Sequence, residues 1–312
     1  MLLCNEYPYP SLLNTDTLQA CGMVGSSILE ALEQTNQYNI TILTRSTNGR
    51  QFPRTVTAVE VDYASFDSLV QALQGQDVLI CALGKFALGS ERLIIDAAFT
   101  AKVKRLIPSE FGGNLLNFRT RALPNYKHKV DNQERLFELC HDQIGTTMTY
   151  TLVFTNVLLD WSLSSGLILD IKKRELHKYD EGDTLFSATR VCTIGLAVVG
   201  ILQNYNATAN RAVYVQDIAI TQNELLSLVQ EEDAKIVVSH IDTASLETEA
   251  RESIARGAAV DTLFNCFAAR AAFGKENGGY FERNDNDLLG LKGLSREGLR
   301  QVIREVLSSA TI

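Results

Sequence analysis

The sequence predicts an α/β fold, a doubly wound parallel sheet followed by a smaller mixed α+β lobe. From residue 22 to about 155, short β-branched runs alternate with longer helical ones, the signature of right-handed βαβ units. Two of the intervening segments carry one apolar stripe each at helical spacing, Val24, Ile28, Ala31 and Leu32 in the first and Ile94, Ala97, Ala98 and Ala101 in the second. Beyond residue 155 the alternation stops and helices come to dominate. The expected division is therefore a doubly wound domain over 1–155, with 1–19 atypical, and a smaller lobe over 156–312.

In chain order the first element is the least regular. The strand expected before the first helix falls on Leu12-Leu13-Asn14-Thr15-Asp16-Thr17-Leu18, too polar for a central parallel strand covered on both faces. A first strand that is atypical or missing is expected, with residues 1–18 irregular and any strand short and starting near Asp16. Ala20-Cys21-Gly22-Met23-Val24-Gly25 then opens a helix, and glycines three apart there let a pyrophosphate approach the N–H groups at the positive end of the helix dipole. Close helix–strand packing explains the same glycines equally well. Where such a turn normally begins with glycine, this chain has Gln19.

Asn39 to Thr44 reads as the second strand, and Arg45 ends it, placed for its guanidinium to grip a 2′-phosphate. That favours NADPH over NADH; a solvated strand-end arginine is the other reading. Thr55 to Val61 is the third strand, with Asp62 behind it as a cap for the helix from Ser65. Val78 to Leu83, Arg105 to Ile107 and Thr149 to Phe154 complete the parallel set. Further on, a hairpin-like stretch is expected around Tyr179 to Asp183, a helix from about Thr193 to Leu202, and a short strand at Ala212 to Val215. Thr221 and Glu224 have the spacing of a capping box before an apolar helix.

Composition excludes several functions. Lys and Arg number 29 against 37 Asp and Glu, a net charge of −8, so there is no basic field for a nucleic acid. The longest apolar run, Ile194 to Leu202, falls far short of the ~20 residues of a membrane span. Six cysteines without close pairing and four histidines without ligand spacing argue against a metal site and for reduced thiols in a cytoplasmic protein. Met1 to Pro10 does not read as a signal peptide.

Ala101-Lys102-Val103-Lys104-Arg105-Leu106-Ile107-Pro108-Ser109-Glu110-Phe111-Gly112 closely resembles the NmrA-like and isoflavone reductase-like family of atypical short-chain dehydrogenases. Asp77 to Gly84, Thr149 to Val153 and Leu158-Leu159-Asp160-Trp161 extend the resemblance, which points to the fungal branch. It implies a Rossmann domain holding NADPH, with cofactor contacts at Gly22, Met23, Val24, Gly25, Arg45, Leu83 and Gly84, and a lysine acting as general acid or carbonyl polariser. The sequence departs from the family at Gln19, at Lys102, where a glycine usually precedes Val-Lys-Arg, and at Thr193, where aspartate is usual.

Two lysines, Lys127 and Lys129, occupy the stretch where the resemblance places the catalytic one. At about 100° per residue Lys129 lies over Leu136 and Cys140, whereas Lys127 points away from that stripe. The family also has an apolar residue seven positions after its lysine, which Leu136 supplies for Lys129 and Glu134 fails to supply for Lys127. Lys129 is therefore preferred, as a residue touching both cofactor and substrate; Asn132 is less apolar than the family norm, and both lysines being solvated is the alternative. His128 and His141 read as surface or satisfied groups, Ser109 and Glu110 as shaping the cofactor side, Trp161 and Phe154 as packing the domain junction, and Glu231-Glu232-Asp233 as a solvated helix end. The functional expectation is NADPH-dependent hydride transfer to a small aromatic, enone or carbonyl metabolite, without nucleic acid or membrane. The alternatives are a non-catalytic dinucleotide sensor with a regulatory protein partner, or a cofactor-impaired product of an incomplete N-terminus.

Overall fold

The fold was established from a computed structural model, which describes residues 13–18, 22–48, 51–142, 147–170, 173–233 and 235–309. Among these, the main sheet has seven strands: β1 (Leu13–Leu18), β2 (Tyr38–Thr44), β3 (Val56–Glu60), β4 (Val78–Cys81), β5 (Arg105–Ile107), β6 (Thr149–Phe154) and β7 (Arg211–Tyr214). Their order is β7-β6-β5-β4-β1-β2-β3, so the chain winds outward one way from β1 and the other way from β4. That reversal opens a crevice at the carboxyl ends of β1 and β4. Neighbours from β3 across to β6 pair in parallel, and β4 is buried at all four positions.

β1 corrects the expectation of an irregular start. Leu13 to Asp16 pair with Tyr38 to Thr41 on one side, and Thr15 to Leu18 with Val78 to Cys81 on the other. The strand begins at Leu13, three residues before Asp16, because its backbone groups are wanted by ladders on both edges whatever its side chains are. Residues 1–12 and the start of the turn, Gln19 to Cys21, lie outside the described residues.

Contacts gather the chain into two compact units, Met1–Glu110 with His128–Val153 and Ile194–Val213, and Phe111–Lys127 with Phe154–Thr193 and Tyr214–Ile312. In the first, α1 (Met23–Thr35), α2 (Phe66–Leu73), α3 (Glu91–Thr100), α4 (Lys127–Phe137) and α5 (Val191–Gln203) accompany the sheet. The stripes read from sequence are the buried faces: Ile28, Ala31 and Leu32 in α1, Ile94, Ala97 and Ala98 in α3. In α5, Gly195 allows a close approach to α1, since a Cβ there would lie 2.3 Å from the Ser27 carbonyl oxygen. α3 ends in a Schellman motif: Val103 N–H donates to Ala98 O at 3.0 Å and Lys102 N–H to Phe99 O at 3.1 Å, with Lys102 itself at φ 61°. The position thus requires the left-handed conformation that glycine adopts freely and that Lys102 adopts at a cost.

The second unit has its own core, including Leu159, Leu176, Phe186, Leu225, Phe273 and Leu299. Tyr179 stacks on Phe273 at 4.8 Å. Thr221 and Glu224 form the expected capping box at the start of Gln222–Glu232. Three expectations are corrected. The turn after Tyr179 joins no hairpin: Glu175–Tyr179 pairs with Val237–Ile241, and Phe186–Thr189 pairs with Ile218–Ile220 and Val157–Leu158, in two separate sheets. The helix expected from about Thr193 starts at Val191, whose N–H donates to the Asp160 carboxylate at 3.2 Å, and Thr193 lies buried within it. The acidic run is paired rather than merely solvated, Glu231 with Arg300 at 2.8 Å, Glu232 with Arg304 at 2.8 Å and Asp233 with Arg174 at 3.2 Å.

Candidate cofactor and active site

β2 and β4 end at the carboxyl edge of the parallel sheet, and Arg45, Leu83 and Gly84 lie just beyond them; Gly22 to Gly25 open α1, and Lys127 and Lys129 are on α4. Gly22 is the N-cap of α1, and Ser26 N–H returns to its carbonyl at 2.8 Å. The first turn of α1, Met23, Val24 and Gly25, carries no acidic residue and no side-chain cap, so its amides and the positive helix end remain available to an anion. Met23 is exposed, Val24 half-buried and Gly25 buried, the last where α1 packs inward.

Arg45 is exposed just beyond β2 and lines a cavity of 510 Å³ together with Glu60, Asp62, Tyr63, Ala64 and Ser90. It makes no ion pair among the described residues. The carboxylate across the cavity is already engaged, Glu60 accepting from the Thr47 N–H at 2.6 Å and its hydroxyl at 2.7 Å, which holds the Glu60 pKa below its ordinary value. Asp62 accepts from Ala64 N–H at 2.9 Å, and Ser65, not Asp62, is the N-cap of α2. Tyr63 is fixed by its hydroxyl donating to Leu43 O at 3.0 Å.

Leu83 and Gly84 follow β4. Leu83 N–H donates to the Ser109 hydroxyl at 2.9 Å, and that hydroxyl donates to Leu83 O at 3.1 Å, so Ser109 ties the ends of β4 and β5 together. The Leu83 backbone is thereby engaged, leaving its side chain to shape the site; Gly84, one residue on, is exposed.

The structure separates the two lysines. Lys127 is exposed at the first position of α4, while Lys129 is half-buried and its Nζ donates to the Glu110 carbonyl at 2.5 Å. Beneath Lys129 lies a polar cluster that sequence reasoning missed. Glu91, 1% exposed, accepts from Ser109 N–H at 2.6 Å with one oxygen and from the Asn132 side-chain amide at 3.0 Å with the other. Gln133 donates to the Glu110 carboxylate at 2.8 Å. Burial pushes the Glu91 carboxyl up to about 7, opposed by the Ser109 amide; the Glu110 charge adds to the rise, and Lys129 and Asn132 oppose it. Burial, with the Glu91 charge, also raises the Cys81 thiol well above its usual range. The available signal was two adjacent polar residues, Asn132 and Gln133, on the face of α4 that also carries Leu136; all three are buried.

The remaining candidates have ordinary roles. His128 is exposed, and His141 meets Tyr150 edge-on at 5.7 Å. Phe154 and Trp161 both lie in the second unit, Phe154 against Tyr214 at 5.6 Å and Trp161 against that unit's apolar core. Among the described residues no cluster of ligating side chains could hold a metal ion, and no helix is long and apolar enough to cross a membrane.

A family model described as NAD(P)H-binding matches residues 20–180. The chain is 34% identical over 233 residues to the oxidoreductase poxI of Penicillium oxalicum, covering 73% of this chain and 72% of the relative. It is 30% identical over 242 residues to the oxidoreductase aprR of Aspergillus flavus, covering 76% and 80%. Among solved structures, the leucoanthocyanidin reductase–NADPH complex of Vitis vinifera superposes with a TM-score of 0.74 at 16% identity, over 94% of this chain and 99% of that one. An isoflavone reductase does so with a TM-score of 0.72 at 17% identity, over 93% and 98%. The family match spans the glycine turn, Arg45, the Ser109-Glu110 loop and Lys129 together, and the chain belongs to the NAD(P)H-binding family of oxidoreductases.

Proposed function

We propose that the protein is an NADPH-dependent reductase of a small aromatic, enone or carbonyl metabolite, with Lys129 as its general acid. The observation that carries this reading is the contrast between the lysines: Lys129 is half-buried and aimed by the Glu110 carbonyl at the carboxyl end of the sheet, while Lys127 is exposed. Support for NADPH comes from Arg45, which lines its cavity and makes no ion pair among the described residues, and from neighbours of the same fold, one holding NADPH and another NADP+ with (+)pinoresinol.

In this reading Arg45 holds the 2′-phosphate, and the first-turn amides from Gly22 through Met23, Val24 and Gly25 hold the pyrophosphate. Leu83 and Gly84 form the wall at the end of β4. The dinucleotide supplies the hydride when bound. Lys129 then meets the charge that develops on the substrate oxygen and delivers a proton from Nζ, while the Glu110 carbonyl keeps the ammonium oriented beforehand.

The test is NADPH oxidation against a panel of aromatic enones. Lys129→Ala is expected to cut turnover roughly 10²–10⁴-fold with NADPH affinity nearly unchanged, and Lys127→Ala to do little. Equal effects would overturn the assignment of Lys129. Tight NADPH binding without turnover of any substrate would favour the dinucleotide-sensing alternative.

A further inference from the structure

We infer that Glu91 is a positioning residue for Lys129, a two-oxygen clasp that joins the helix carrying the lysine to the loop carrying its carbonyl acceptor. The inference rests on the reading of Lys129 as the general acid. One Glu91 oxygen takes the Ser109 N–H, and Ser109 immediately precedes Glu110, whose carbonyl accepts from Lys129. The other takes the amide of Asn132, which lies one helical turn beyond Lys129 and also reaches Leu88 O at 3.4 Å. Both ends of the Lys129–Glu110 contact are thus referred to one buried side chain on α3.

Both oxygens act as acceptors, which is the bonding of a carboxylate. A protonated acid or an amide presents a donor where Asn132 also presents one, so the helix side of the clasp opens. The charged or titratable groups facing Glu91 among the described residues are Cys81 from β4, Glu110 from the loop after β5 and Lys129 from α4. Burial and Glu110 favour its protonated form, and Lys129 the ionised one. The clasp is therefore closed above neutral pH and loosened below it, and the orientation of Lys129 follows.

Two measurements test this. The first is acetylation of Lys129 by an N-hydroxysuccinimide ester, quantified by mass spectrometry as a ratio to Lys127 across a pH series in the unmodified protein and in Glu91→Gln. In the unmodified protein the Lys129 to Lys127 ratio is expected to fall as pH rises through about 7, as the amine becomes held. In Glu91→Gln it should be flat and about two- to tenfold higher at alkaline pH, the size of one net hydrogen bond. A ratio that is flat with pH in the unmodified protein overturns the inference, and this arm needs neither a variant nor a substrate. The second is the pH profile of kcat for enone reduction: Glu91→Gln should lose the acid limb near 7 and lower kcat with little change in KM for NADPH. If no substrate is turned over while the acetylation ratio still titrates, the reductase reading fails and the clasp stands. If turnover depends on Lys129 but neither profile responds to Glu91→Gln, the clasp fails and the reductase reading stands.

Discussion

Lys102→Gly is expected to stabilise the protein. Lys102 occupies the left-handed position of the Schellman motif closing α3, at φ 61°, and the motif's bonds from Val103 to Ala98 and from Lys102 to Phe99 require that conformation. For a residue with a Cβ this costs roughly 1–2 kcal/mol. Glycine removes the cost but frees the unfolded chain by about 0.4–1 kcal/mol, so the net gain should be about 0.5–1 kcal/mol. The side chain is exposed and makes no ion pair among the described residues, so little else is lost. Urea unfolding followed by far-ultraviolet circular dichroism reads the gain as a higher midpoint with unchanged slope. Lys102→Ala is the control, since it removes the same long side chain and keeps the Cβ, and it should show no gain. If glycine destabilised the protein, or if alanine stabilised it equally, the argument from backbone conformation would be refuted.

Arg45→Ala should erase a preference for NADPH over NADH of about ten- to a hundredfold, the worth of a charge-assisted phosphate contact, as read by fluorescence titration with both cofactors; equal binding of both by the unmodified protein would refute the role of Arg45. Glu91 makes stability depend on pH: its folded value of about 7 lies above the ordinary 4.5, so the folded chain holds a proton that the unfolded chain releases between these values. Stability contributed by this group is full below 4.5 and lost as pH rises to about 7, a change of about 3 kcal/mol at about 1.4 kcal/mol per pH unit. Urea midpoints for the unmodified protein should therefore decline relative to Glu91→Gln across that window, and parallel curves would contradict it. Gly195→Ala should destabilise by about 1–3 kcal/mol, because its Cβ meets the Ser27 carbonyl at 2.3 Å and must push α1 from α5; weaker NADPH binding measured alongside would show that α1 had moved.

The sequence by itself determined the parallel half of the molecule. A strand such as Val78–Cys81 sits in the middle of the sheet and is buried at every position, so it must be a short apolar run, and such a run is visible without any knowledge of neighbours. The capping box at Thr221 was legible because all of its bonds lie within four residues. Arg45 was found because a strand end follows from local order; the two lysines were found through the family resemblance, and helical phase then favoured Lys129. Tertiary structure decided what depends on distant partners. The polar segment Leu13–Leu18 is a strand because two neighbouring ladders claim its backbone, and its own residue types do not announce that. Arg105 opens a strand that was legible, but its burial was not: its guanidinium donates to Thr149, Thr151 and Thr208 and to the carbonyl of Tyr205, partners 44 to 103 positions away. Glu91 and Asn132, 41 positions apart, carry no mutual signal along the chain, since the periodicity that reveals helices and strands reports which side a residue faces and not which buried group it will meet there.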